Sequence, residues 1–156
     1  MKKLVFPIVI LMLALVGCRP NGVFEKNISI PEHAWNSQFK PSIQFTVEDT
    51  TSLYRIYVVF RHTDAYRYKN VWMTITVQPP GDFAYVNRKN LTLATDERGW
   101  LGSGMDDIFE HRILLDASPS RFPKKGVYTF TLAQIMREDP LEHVMNAGIR
   151  IEKVTN

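Results

Sequence analysis

Cysteine is all but missing: Cys18 is the only one in 156 residues. The folded part therefore has no internal disulfide to lean on, and no thiolate cluster is available for a structural zinc. No H-E-x-x-H marks a helical metal site, and no G-x-S-x-G marks a nucleophile elbow. Net charge is small as well. Lys+Arg 19 against Asp+Glu 16 gives a formal +3, without the basic stripe that would track nucleic acid. The longest apolar run, Leu4 to Val16, has thirteen residues and is interrupted by Pro7. As a helix it would reach ~20 Å at ~1.5 Å per residue, short of the ~30 Å hydrocarbon core, so it does not make a permanent span. No internal repeat is evident, and no alternation of strand and helix supports a parallel α/β sheet.

What the N-terminus does contain is specific. Lys2 and Lys3 precede the apolar run, which ends Leu15-Val16-Gly17-Cys18. A positive start, a short apolar stretch and small residues before a cleavage point make a secretory signal. Leu-Val-Gly-Cys is also a lipobox, in which the cysteine becomes the first, lipidated residue. Residues 1–17 are thus expected to be removed and Cys18 to carry two or three acyl chains, since a single chain anchors only marginally. Removal of residues 1–17 takes two lysines and no acid, leaving 17 basic against 16 acidic groups on 139 residues. A chain of that size buries roughly two thirds of its unfolded surface and makes one ordinary domain. Residues 18–23 form a short tether with Pro20 and Gly22, and residues 24–156 the domain. No Asp or Glu follows Cys18 directly, which favours the periplasmic face of the outer membrane over the cell surface.

The rest reads as strand after strand. Asn27–Ile30 is a short candidate stopped by Pro31. Ser42–Val47 alternates Ile43, Phe45 and Val47 with polar residues, the period-two pattern of a half-buried strand. Tyr54–Arg61, Val71–Val77, Ile108–Leu115 and Val127–Gln134 are longer strands, rich in β-branched and aromatic residues. Gln78-Pro79-Pro80-Gly81-Asp82 forces a turn, after which Phe83–Val86 and Asn90–Ala94 are shorter strands. Asp139-Pro140-Leu141-Glu142 has the order of an N-cap, a first-turn proline and a third-position Glu. With Leu141, Val144 and Met145 on one stripe and Gly148 as a stop, it predicts one short helix near the C-terminus. Ile149 and Ile151 then begin a last strand. Seven or eight short strands with regular turn signals predict an all-β fold, an antiparallel β-sandwich of Ig-like or jelly-roll-like type.

Chemistry is sparse. Gly99-Trp100-Leu101-Gly102-Ser103-Gly104 spaces its glycines as neither a dinucleotide nor a P-loop fingerprint, and reads as a tight turn or close backbone approach. Asp106, Asp107, Glu110 and His111 are the one acidic cluster. A strand over 108–115 sends Glu110 and His111 to opposite faces, so no metal is expected there. His33, His62, His111 and His143 are scattered along the chain. Neither catalysis, a cofactor nor a small-molecule ligand is indicated. The densest polar–aromatic stretch runs from Arg61 through Tyr66, Tyr68 and Asn70 to Trp72, between two strong strands. Tyr, Arg and Trp are the residue types of binding hot spots, so these residues, with Trp100, are the candidate interaction surface. Capping of an open sandwich end by the same aromatics is the other use of them. A carbohydrate- or peptidoglycan-binding module is the competing function, with Trp72, Trp100 and Tyr66 as stacking platforms.

The lipobox, the run Arg61-x4-Tyr66-x-Tyr68-x-Asn70-x-Trp72, and Gly99-Trp100-Leu101-Gly102 together resemble the GldH family of gliding-motility lipoproteins of the Bacteroidota. So do Gln134 to Leu141 and Gly148 to Glu152. The resemblance implies a non-catalytic envelope component that helps assemble or stabilise gliding or type IX secretion machinery. Its expected partners are other envelope proteins and, through the N-terminal lipid, the membrane. Only Cys18 carries over with a defined role.

Overall fold

The computed structural model describes residues 22–154. Among these residues are thirteen strands: β1 (Val23–Ser29), β2 (Ala34–Trp35), β3 (Ser42–Val47), β4 (Tyr54–Thr63), β5 (Asn70–Gln78), β6 (Tyr85–Thr92) and β7 (Ala94–Thr95). They continue with β8 (Gly99–Trp100), β9 (Ser103–Met105), β10 (Ile108–Leu114), β11 (Gly126–Gln134), β12 (Leu141–Glu142) and β13 (Val144–Lys153). A single 3₁₀ turn, Pro31–His33, is the only helical element among the described residues.

Two antiparallel sheets carry the fold, in the orders β1-β13-β4-β10-β9 and β3-β11-β5-β6. Every ladder is antiparallel, as the alternation of apolar and polar residues requires when one face of each sheet is buried. β1 with β13, β3 with β11, β4 with β10, and β5 with β6 pair as nested hairpins closing at the β5–β6 turn. Pairing of β13 with β4 and of β11 with β5 rolls that long hairpin into two facing sheets. This strand order is the jelly roll, the second of the two sandwich types expected. Between the sheets lie Trp35, Ile43, Phe60, Met73, Ile75, Tyr128, Phe130, Leu132 and Ile149, all essentially without solvent contact.

The sandwich has two distinct ends. Val23, Val47, Tyr54, Gln78, Leu114, Gly126 and Lys153 lie at the end where the chain enters from the N-terminal tether. Ser29, Ser42, Thr63, Asn70, Ile108, Gln134 and Val144 lie at the far end. β4 alone spans ten residues, roughly 30 Å from end to end.

The C-terminal helix expected over 139–148 does not form. The Asp139 carboxylate, which would cap such a helix, instead accepts the backbone N–H of Ser37 at 2.8 Å and its hydroxyl at 2.5 Å. Leu141 pairs with Trp35, and from Val144 the chain runs as β13 between β1 and β4. Two ladders and the burial of Val144, Ala147, Ile149 and Ile151 outweigh the propensity of a two-turn helix that would need tertiary packing anyway. Gly148 is no helix stop either. A Cβ there would stand 2.6 Å from the Lys26 carbonyl oxygen, so glycine is what lets β1 close on β13. The separate strands expected at 83–86 and 90–94 are mainly one strand, β6. It lies at the edge of its sheet and carries the polar run Asn87-Arg88-Lys89-Asn90 on partly solvated backbone.

Candidate interaction surface

The expected interaction residues do not form one surface; the pleat separates them. On β4 the parity that buries Val58 and Phe60 points Arg61 outward. There its guanidinium meets Glu110 at 2.5 Å, the first link of a cross-strand chain through Arg112, Glu25, Arg150 and Glu152. Burial raises the Glu25 carboxyl, but the hydrogen bond from Arg150 and the charge of Arg112 outweigh it and hold Glu25 below the ordinary range. Arg61 thus belongs to the outer face of the five-stranded sheet.

Tyr66 goes the other way. It is 3 % exposed, donates its hydroxyl to the Asn70 carbonyl at 3.0 Å, and packs edge-on against Phe60. Burial drives its phenol well above the usual range. It caps the far end of the core and presents nothing to a partner. Trp100 lies beside it, its ring 4.4 Å from His62 and 5.7 Å from Phe109. Gly102 allows this layer to close, since a Cβ there would stand 2.5 Å from the Glu110 carbonyl oxygen.

Beneath Trp100 sit the two buried histidines, His62 and His111, with Nε2 atoms 2.9 Å apart and rings nearly parallel at 17°. His62 Nδ1 lies 2.7 Å from the Thr63 carbonyl oxygen, the proper place for an N–H, which leaves Nε2 to accept from His111. Burial lowers both rings, His111 further to about 4 with the charge of His62 adding to the effect. The pair is neutral at pH 7. These two are not scattered, as the sequence had suggested. Both fall on inward parity, His62 after Tyr54-x-Ile56-x-Val58-x-Phe60 and His111 within Phe109-x-His111-x-Ile113, and that parity was the available signal. Glu110 points out and His111 in. Among the described residues no group of three or more His, Cys, Asp or Glu is placed to hold a metal ion.

Tyr68, Asn70 and Trp72 do come together. They line a cleft of about 490 Å³ on the outer face of the four-stranded sheet, near its far end, completed by Arg88, Ile135, Met136 and Arg137. Trp72 is 37 % exposed, with the Arg88 guanidinium 5.2 Å above its ring. Met136 is pinned by the Trp72 N–H, which reaches its Sδ at 3.2 Å, while the Ile135 N–H donates to the Trp72 carbonyl at 2.9 Å. At one side Glu138 accepts the Tyr68 hydroxyl and the Arg67 guanidinium, each at 2.5 Å. The Tyr68 hydrogen bond, despite some desolvation and with help from Arg67, holds the Glu138 carboxyl below its usual range. Arg88, Ile135, Met136 and Arg137 were not anticipated: Arg88 reaches Trp72 through the β5–β6 register, and residues 135–137 lie more than 60 positions beyond Trp72 in the chain. The three proposed sugar platforms do not share a surface: Trp72 is outside the sheet, Trp100 is packed on His62, and Tyr66 is buried.

Fold and surface together define a jelly-roll module whose open chemistry is a Trp–Met floor ringed by arginines, at the end away from its tether. The sequence profile of the GldH lipoprotein family matches residues 22–151, and the chain belongs to that family. As a member it is a lipid-anchored protein of the cell envelope, in a family not known for enzymes; no helix among the described residues is long and apolar enough to cross a membrane. It is 27% identical over 154 residues to a protein of Flavobacterium johnsoniae named gliding motility lipoprotein GldH, covering 92% of this chain and 94% of that one. It is 23% identical over 159 residues to a Christiangramia forsetii protein named gliding motility lipoprotein GldH homolog, covering 97% and 96%. Among solved structures, a chain from the structure of infectious bursal disease virus Gx strain aligns at TM-score 0.19 and 12% identity, covering 90% of this chain and 45% of that one. That likeness carries no weight. Cys18 lies outside the described residues, as do the proposed signal 1–17 and most of the tether.

Proposed function

We propose that this chain is a non-catalytic lipoprotein component of gliding or type IX secretion machinery, anchored through Cys18 on the periplasmic face of the outer membrane after loss of residues 1–17. Its role is to assemble or stabilise that machinery by holding a protein partner in the Trp72 groove. The placement of the groove supports this reading. It sits at the end opposite the tether, with Trp72, Met136 and Ile135 as an apolar floor and Arg88 and Arg137 at the rim. Central aromatics flanked by arginine are the residues on which interface energies concentrate. The partner segment such a surface fits is extended, apolar at its centre and carboxylate-bearing at its flanks.

A photo-crosslinking residue placed at position 72 in intact cells should yield a discrete envelope-protein adduct, whereas the same residue at position 105 should not. Equal adducts from both positions, or none from position 72, would remove the groove from the account.

A further inference from the structure

We propose that the tip of the β5–β6 hairpin and the sandwich end around it rest in the bilayer that holds the anchor. The proposal rests on the Cys18 attachment and goes beyond it by assigning the membrane-facing residues. Six consecutive residues, Gly81 to Val86, are exposed between Pro80 and the body of β6. Phe83 is 92 % exposed, Val86 62 % and Tyr85 51 %. Tyr85 has inward parity, opposite the core residue Val77, yet half of it is in solvent because it overhangs the sheet end. A continuous run Phe83-Ala84-Tyr85-Val86 left uncovered has no structural purpose and marks a contact surface.

Which surface it meets follows from the chain outside the structure. Cys18 and Gly22 are four peptide links apart, a reach of ~14 Å when fully extended. β1 starts at Val23, opposite Glu152, at the same sandwich end as Gln78, Gly126 and the hairpin turn. The anchor therefore holds the exposed hairpin toward the lipid, with the Trp72 groove roughly 20 Å away along the strands. Charge agrees. Asp82 is paired with Lys124 at 2.9 Å. Among the described residues Arg55, Arg121 and Lys125 at this end make no ion pair, against one free carboxylate, Glu48. Aromatic side chains beside lysine and arginine suit the headgroup region, where long basic side chains extend to phosphate.

The test uses the full lipidated protein in vesicles of phosphatidylethanolamine and phosphatidylglycerol, with a nitroxide on Phe83→Cys or, as a far-end control, on Met105→Cys. Lipidation turns the Cys18 sulfur into a thioether, so each variant has one reactive thiol. At position 83 the nitroxide should collide with oxygen several-fold more than with an aqueous nickel complex, relative to position 105. Equal, water-like ratios at both positions would overturn the docking assignment alone. Shielding at 83 that scales with the protein-to-lipid ratio would make a second copy the occupant and overturn it too. Nitroxide uptake by the parent chain would show a free Cys18 thiol and overturn both the anchor and the docking surface built on it.

Discussion

Lowering the pH from 7 to 4 is expected to cost the folded chain roughly 3 kcal/mol through the His62–His111 pair. Burial lowers both rings, and His111 falls from 6.5 to about 4. In the unfolded chain both would take up protons near pH ~6.5. Between those values the unfolded state binds more protons, so stability falls as pH falls. The contribution is complete above pH ~6.5 and gone near pH 4, at ~1.4 kcal/mol per unit for one group. Carboxylates held low by partners, such as Glu25, Glu138 and Asp139, begin to lose their contributions only near their unfolded values of about 4–4.5 and lose most of them below that. The two windows are therefore separable. Urea midpoints at pH 7, 5.5 and 4.5 should decline steadily in the native chain. They should be nearly flat in a His62→Phe/His111→Phe chain, and an undiminished decline there would place the acid sensitivity elsewhere.

Trp35→Ala should be the most damaging single truncation near the groove, at about 3–5 kcal/mol, the usual cost of emptying a buried tryptophan site. Trp35 is fully buried on β2, packs 6.4 Å from Phe60 and donates its indole N–H to the Phe39 carbonyl at 2.8 Å. Its backbone carbonyl accepts from the Gln134 side chain, which also accepts the Met136 N–H at 2.8 Å. Through Gln134 and the Leu141 pairing, Trp35 holds in place the segment that supplies Ile135, Met136 and Arg137. A chain stable by about 5–15 kcal/mol would be left marginal. Amide exchange over 135–141 should accelerate well before global unfolding. In Trp35→Phe, which keeps most of the apolar packing but loses the hydrogen bond and part of the ring, the cost should be smaller, about 1–3 kcal/mol. Equal losses in the two variants would mean that packing at Trp35 is not what matters.

Most of the sandwich was legible because antiparallel strands with one buried face write their period into the sequence. Ser42–Val47 and Val127–Gln134 follow it residue by residue, while in the central strand β4 Val58, Val59 and Phe60 are all buried. Two stretches were misleading for local reasons. Asp139-Pro140-Leu141-Glu142 satisfies every helix-start rule, but its carboxylate is spent on Ser37, 102 residues away in sequence. The strands expected at 83–86 and 90–94 left Asn87 to Lys89 outside, because an edge strand with a solvated face tolerates a polar run. The surface was only half legible. Tyr68, Asn70 and Trp72 belong to one local stretch, whereas Arg88 and Met136 reach it through cross-strand register. Of the aromatics in that stretch, burial removed Tyr66, a distinction that composition alone does not carry.

The Trp72 groove is proposed to hold a protein partner. The most direct test is the affinity of the partner crosslinked from position 72, measured with purified proteins for the native chain and for Trp72→Ala/Arg88→Ala. Arg88 is exposed and Trp72, 37 % exposed, lies on the outer face rather than in the core, so the fold should persist with a modest drop in melting temperature. Loss of a hot-spot pair worth at least ~2 kcal/mol should weaken binding by roughly 30-fold or more. An unchanged dissociation constant in a folded double variant would contradict the claim.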